Sequence, residues 1–242
     1  LNNALDSIHP GVLGKSEIFF FVFGSDATQD VFMRETKHLQ HAVNTHLDTS
    51  DRSIVMINNV RTMDTIPLAS ATNLALTLKH IGQKMNLEED VLFLYLTSHG
   101  SSNHELAVNM WVLDLNDIRP EDIQSYLDEA GIRWRIILIS ACYSGGFIQQ
   151  LQNENSLIFT AAAADKTSFG CANENDFTYF GEAVFDQIKR EPYLLESSFK
   201  MVIEKIKQRE LSEKLPNSEP QLFIGSRMLD KLKQLEQEIR FP

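Results

Sequence analysis

Cysteine is scarce in this chain: there are two, Cys142 and Cys171, in 242 residues. A small secreted scaffold stapled by several disulfides is therefore excluded. A single bridge, if formed, would not fix the compartment. Cations are also in short supply, with 22 Lys and Arg against 33 Asp and Glu and a net charge of −11. A nucleic-acid surface needs clustered Lys and Arg, and an anionic membrane surface needs the same, so neither partner is expected. Long apolar runs are missing too. The longest, from Ile18 to Phe23, is strand-sized, against the roughly 18 residues of a transmembrane helix. The first residue is Leu1 rather than Met. The chain therefore reads as a processed or excised piece, and a signal or anchor ahead of Leu1 is compatible with it. Compartment and oligomeric state are left open.

What is present is an alternation of strand-like and helix-like segments. The hydrophobic fraction, 43%, is that of an ordinary globular protein, and the length suits one α/β domain. We expect a single domain over residues 1–242, with a core from about 17 to 226 and a C-terminal helix over 227–242. Strands are predicted at Ile18 to Phe23, Ser53 to Ile57, Val91 to Leu96, Arg135 to Ile139, Ser156 to Thr160 and Gln221 to Ile224. Helices are predicted at about Asp30 to Leu47, Ser70 to Met85, from Pro120 to Gly131, near Thr178 to Lys189 and near Ser197 to Arg209. In the tail, Met228 to Arg240 carries Leu229, Leu232, Leu235 and Ile239 on roughly one side. Glu105 to Asn109 and Trp111 to Leu115 read as the two arms of a small hairpin. The strand runs are almost continuously apolar rather than alternating. That marks a mainly parallel sheet covered on both faces, and the β-α-β-α order gives a three-layer α/β sandwich.

Two of these strands end at a reactive side chain followed closely by glycine. One runs through Leu96-Thr-Ser to His99-Gly100; the other runs through Ile139-Ser-Ala to Cys142, with Gly145-Gly146 beyond. In open parallel sheets the site lies outside the carboxyl ends of the strands. A thiol there attacks an acyl carbon as thiolate, or with a base to take its proton, and histidine is the natural base near neutral pH. Backbone N–H groups of Gly100 and Cys142 are placed to face a developing oxyanion. A helix starting after Gly146 would turn its positive end toward Cys142. Ser144 lacks the first glycine of a Gly-x-Ser-x-Gly elbow, so Cys142 is preferred as nucleophile. His99 and His104 lack the His-Glu-x-x-His spacing, and His38 and His41 read as solvated, so no metal is expected.

The segments Ser98-His99-Gly100 and Ser140-Ala-Cys142-Tyr-Ser-Gly145, each behind an apolar strand and with reactive residues 43 positions apart, resemble the legumain (asparaginyl endopeptidase) family. Thr160-Ala-Ala-Ala-Ala-Asp-Lys-Thr-Ser-Phe-Gly-Cys171 and Phe177-Thr-Tyr-Phe-Gly-Glu-Ala183 extend the resemblance to about residues 17–226. Leu94-Tyr-Leu-Thr-Ser-His-Gly100 and Gly131-Ile-Arg-Trp134 are similar to its bacterial branch. The resemblance implies a caspase-type fold with about six strands between helices. It also implies a cysteine endopeptidase acting on protein or peptide substrates, with no metal or organic cofactor; a bacterial cytoplasmic or periplasmic fragment is compatible with it, and the compartment stays open. Cys142 would be the nucleophile, His99 the general acid or base, and Gly100 and Cys142 the oxyanion donors. Cys171 would be structural.

For the substrate pocket the resemblance implies Arg34, Ser140, Ser168 and Glu182. Ser140 departs from the acid that the family carries two residues before its cysteine. Cleavage after Asn or Asp is implied, whereas Asp165, a second acid near the pocket, favours a basic residue. Transpeptidation through the same acyl-enzyme, and a caspase-fold scaffold with little turnover, stand as alternatives. The stretch from Ser226 to Pro242 is too short for a large prodomain, so activity without removal of one is expected.

Overall fold

The computed structural model describes residues 1–192 and 196–240, without the side chains of 239 and 240. Its element order is α1 (Asn2–Asp6), β1 (Ile18–Gly24), α2 (Asp30–Leu47), β2 (Ser53–Ile57), α3 (Ala71–Lys84), β3 (Val91–Thr97), α4 (Pro120–Glu129), β4 (Trp134–Ser140), α5 (Ile148–Leu151), β5 (Ser156–Thr160), α6 (Tyr179–Arg190), α7 (Glu196–Ser212), β6 (Gln221–Ile224) and α8 (Met228–Arg240). The six strands form one sheet in the order β2-β1-β3-β4-β5-β6. All neighbours run parallel except β6, which is antiparallel to β5. The expected three-layer α/β sandwich with a mostly parallel six-stranded sheet is what the chain forms.

The continuous apolar runs explain the layering. In a strand, successive side chains point to opposite faces, so an unbroken run supplies both faces with apolar groups. Phe21, Leu94, Ile137 and Ile158 point to one side and pack with Leu74 and Leu78 of α3, Ile123 and Leu127 of α4, and Leu151 of α5. Phe20, Phe93, Leu138 and Phe159 point to the other, against Leu39 and Val43 of α2, Val184 of α6, Val202 of α7 and Leu232 of α8. In α8, Leu232 and Leu235 are buried whereas Leu229 is exposed; the Ile239 side chain lies outside the described residues.

Two local expectations are corrected. The segment 105–115 is not a hairpin. Leu106 exchanges backbone hydrogen bonds with Ile118, and Asn109 is bonded to Ser25 and Ala27 beyond β1. With its partners taken from elsewhere, Glu105 to Asn109 leaves Trp111 to Leu113 as an exposed turn, in which Val112 has φ 68°. The helix after Gly146 is also different. A 3₁₀ turn begins earlier, at Ser144, and only four α-helical residues follow. One turn of aligned peptides gives little of a macrodipole.

Central β3 has no exposed residue and is flanked on both sides, so a cavity there cannot be filled by solvent-side relaxation. Leu94→Ala is expected to cost about 2–5 kcal/mol, read as a lower urea midpoint at unchanged slope. A cost below about 1 kcal/mol would contradict this packing.

Candidate active site

The register of β3 on β4 places the two reactive residues side by side. Thr97 pairs with Ser140 at the last rung, and His99 and Cys142 each follow two residues later. Neighbouring strands lie about 4.8 Å apart, so both side chains emerge at one spot on the carboxyl edge. The backbones are in direct contact there. A Cβ added at Gly100 would stand 2.1 Å from the Cys142 carbonyl oxygen, a distance no side chain tolerates, so glycine is required for the approach. Among the described residues, neither the Gly100 nor the Cys142 backbone N–H donates to a protein acceptor. The His99 ring meets the Phe32 ring edge-on at 5.0 Å.

The thiol leans on the loop after β5. The Ser168 backbone N–H donates to Cys142 Sγ at 3.3 Å, and the Ser168 Oγ and carbonyl oxygen lie 3.6 and 3.7 Å from it. These contacts tie the sulfur to the main chain and hydroxyl of Ser168. Ser144 turns away from this spot: it is fully buried, and its Oγ accepts the Ala162 N–H at 3.2 Å.

One wall of the site, residues 168–178, is fastened to α2. Arg34 donates from Nε to the Asn175 carbonyl at 3.0 Å and from Nη2 to the carbonyls of Asn173 and Asn175, while facing Asp176 at 3.2 Å. Its neighbour Glu35 is fully buried. The Glu35 carboxylate accepts the Thr178 N–H at 2.7 Å and the Tyr95 hydroxyl at 2.8 Å. Gly181 of α6 sits directly on that carboxylate, which an added Cβ would meet at 2.1 Å. Ser140 closes the ring, 2.9 Å from the Thr178 hydroxyl. Burial and then the Glu35 charge push the Tyr95 phenol well above its ordinary range, so Tyr95 stays a hydrogen-bond donor. Burial and then Cys142 raise the Cys171 thiol, with Glu35 and Asp26 adding smaller pushes in the same direction. Cys171 thus stays protonated where an exposed thiol would begin to ionise.

Of the residues expected at the substrate pocket, Ser168 touches the thiol. Ser140 lies buried at the last rung of β4, bonded to Thr178. Arg34 holds the wall through its main chain. Glu182 pairs with Arg209 of α7. Glu35 was not singled out from the sequence. A signal existed: it falls three residues after Phe32 and four before Leu39, on the apolar stripe of α2, where an acid needs buried partners. Among the described residues, no group of three or more His, Cys, Asp or Glu side chains converges as a metal ion would require. No helix among them is long and apolar enough to cross a membrane.

The model of the peptidase C13 family matches residues 77–230, a span that includes His99, Cys142 and the whole 168–178 wall. No curated protein sequence matches the chain. Solved structures that resemble it include caspase-1 from Spodoptera frugiperda. That match has a TM-score of 0.62 and 12% identity, and covers 87% of each chain. At that identity the likeness concerns the fold, which is the caspase-type sandwich.

Removing the Glu35 carboxylate would leave the buried Thr178 N–H and Tyr95 hydroxyl without acceptors. Glu35→Ala is expected to lose about 1–3 kcal/mol of stability and to speed amide hydrogen exchange across residues 168–178. Unchanged stability together with unchanged exchange there would refute the fastening role.

Proposed function

The chain belongs to the peptidase C13 family, a cysteine peptidase family acting on protein or peptide substrates, and on that premise we propose that Cys142 is its nucleophile and His99 its general acid and base. Cys142 passes its thiol proton to His99 as its Sγ attacks the carbonyl carbon of the scissile bond, and the carbonyl oxygen takes the negative charge. The N–H groups of Gly100 and Cys142 receive that oxyanion. The C–N bond then breaks, His99 delivers a proton to the leaving amine, and a thioester to Cys142 remains. Water, giving a proton to His99, then attacks the thioester carbon; the C–S bond breaks, the acid product leaves, and His99 returns the proton to Cys142 Sγ.

The observation that supports this most is the shared register of the two strand ends, with Gly100 in backbone contact with Cys142 and both N–H groups undonated among the described residues. Among the described residues the His99 ring accepts or donates no hydrogen bond. In this reading the base therefore stands ready for the leaving group rather than locked to the thiol. The Ser168 N–H and hydroxyl hold the sulfur in position in the meantime.

We read the residue before the cleaved bond as Asn in preference to Asp. Arg34, the cation that an Asp side chain would need, already serves the carbonyls of Asn173 and Asn175 and the carboxylate of Asp176. Two further carboxylates, Asp26 and Glu35, act on the neighbouring Cys171. An uncharged amide meets no such repulsion, and Ser168 can share a hydrogen bond with it.

A peptidyl electrophile is expected to label the wild type on Cys142 and to leave Cys142→Ala unlabelled. His99→Ala should retain the thiol yet lose about 10²–10⁴ in kcat. Equal labelling of wild type and Cys142→Ala would remove Cys142 from the mechanism. For specificity, matched peptides differing only in Asn or Asp should show at least about tenfold higher kcat/KM for Asn, corresponding to about 1.4 kcal/mol. Equal or inverted rates would overturn that assignment.

A further inference from the structure

The nucleophile stands on an unusual piece of backbone. Tyr143, directly after Cys142, has φ 57° and ψ 15°, the left-handed region that side-chain-bearing residues seldom occupy. Something must hold it there. Its N–H donates to the Lys166 carbonyl at 2.7 Å, and its own carbonyl accepts the Gly146 N–H at 3.1 Å. A third contact comes from a different loop: His104 Nδ1 lies 3.1 Å from the same Tyr143 carbonyl oxygen.

His104 is set for this contact. It is itself left-handed, with φ 61°, and its N–H donates to the Ser101 carbonyl at 2.9 Å. Its ring lies against Gly146 so closely that a Cβ there would come within 2.1 Å of Cγ and Nδ1. The loop that carries it is the one that begins at His99. Ala107 donates to the His99 carbonyl at 2.9 Å and Ser101 to the Glu105 carbonyl at 3.0 Å, so His99 and His104 belong to one hydrogen-bonded unit. That unit touches the nucleophile's backbone twice, at Gly100 on the Cys142 carbonyl and at His104 on the Tyr143 carbonyl.

We propose that His104 is a positioning residue for the reaction: by donating from Nδ1 to the Tyr143 carbonyl it fixes the Cys142 turn to the His99 loop and sets the placement of the nucleophile against the base and the oxyanion donors. The inference rests on the reading of Cys142 as nucleophile. A carbonyl oxygen only accepts, so Nδ1 carries the proton in this contact. The neutral Nδ1–H tautomer and the imidazolium both supply it, so His104 need not titrate to act. Its leverage is geometric. A misplacement of about 1 Å in a reacting group costs on the order of 10²-fold in rate, and a turn held in a disfavoured conformation shifts when one of its three fastenings is removed.

The test compares two variants of similar shape. His104→Asn keeps a δ-nitrogen donor and tolerates the left-handed backbone; His104→Leu has the same branching without a donor. Turnover of an Asn-containing peptide is measured for each, with thermal unfolding and iodoacetamide alkylation of Cys142 as checks on folding and on the thiol. We expect His104→Leu to lose about 10- to 100-fold in kcat with KM within about twofold, while still being alkylated. His104→Asn should recover most of the wild-type kcat. If His104→Leu does not fold, His104→Asp, equally tolerant of the backbone and unable to donate when ionised, takes its place with the same expectation. A non-donating variant within twofold of wild-type kcat, or His104→Asn impaired as severely as it, overturns the inference alone. A wild type that neither turns over peptide nor labels on Cys142 overturns the catalytic reading, and this inference with it.

Discussion

One parallel register, that of Val91–Thr97 on Trp134–Ser140, governs the whole carboxyl edge of this sheet. It brings Thr97 level with Ser140, so that His99 and Cys142 leave adjacent strands at the same height. A slip of one residue would turn every side chain of one strand to the opposite face. Both strands are buried throughout and both faces are packed, so such a slip would bury the wrong set against the wrong helices. The core thereby holds His99 and Cys142 in place at the sheet edge, although neither residue belongs to it.

Around that edge the polar groups form linked fastenings, each closing a gap between elements far apart in sequence. Glu35 binds α2 to β3 through Tyr95 and to the start of α6 through Thr178. Arg34 takes the carbonyls of the same wall. Ser168 reaches from the loop after β5 to the sulfur, and His104 reaches from the loop after β3 to the residue beyond it. Buried carboxylates are costly unless their hydrogen bonds are satisfied. Glu35 is satisfied by a hydroxyl and a helix-initial N–H rather than by a cation, an arrangement that fixes the wall without placing a counter-charge beside the thiol.

Much of the architecture is legible in the chain itself. Six apolar runs give six strands within a residue or two of their observed ends, and the stripes Leu74, Leu78, Ile81 and Phe32, Leu39, Val43 are buried as their spacing requires. Both failures are local segments whose partners lie elsewhere. Glu105 to Asn109 has the alternation of a hairpin arm, but Ile118 and the residues after β1 supply its bonds. The short turn after Cys142 has the glycines of a helix start, but Gly145 packs against Ala162 to Ala164 and Ser144 is drawn to the Ala162 N–H.

Contact range separates the features readable along the chain from those that appear only once it is folded. Strand and helix identity, the two reactive strand ends and the need for glycine beside them depend on periodicity and backbone freedom, which act over a few residues and can be read from them. The neighbours of the thiol depend on contacts such as those of Arg34 and Glu35 with the segment near Asn175 and Thr178, about 140 residues away. The local sequence does not name the partner in a hydrogen bond of that range: Glu35 on the apolar stripe of α2 signals that it needs buried partners, not which ones. Arg34, Glu182 and Ser140 therefore look alike as polar pocket residues in the sequence, yet one grips a loop, one pairs with Arg209 of α7, and one is buried against Thr178.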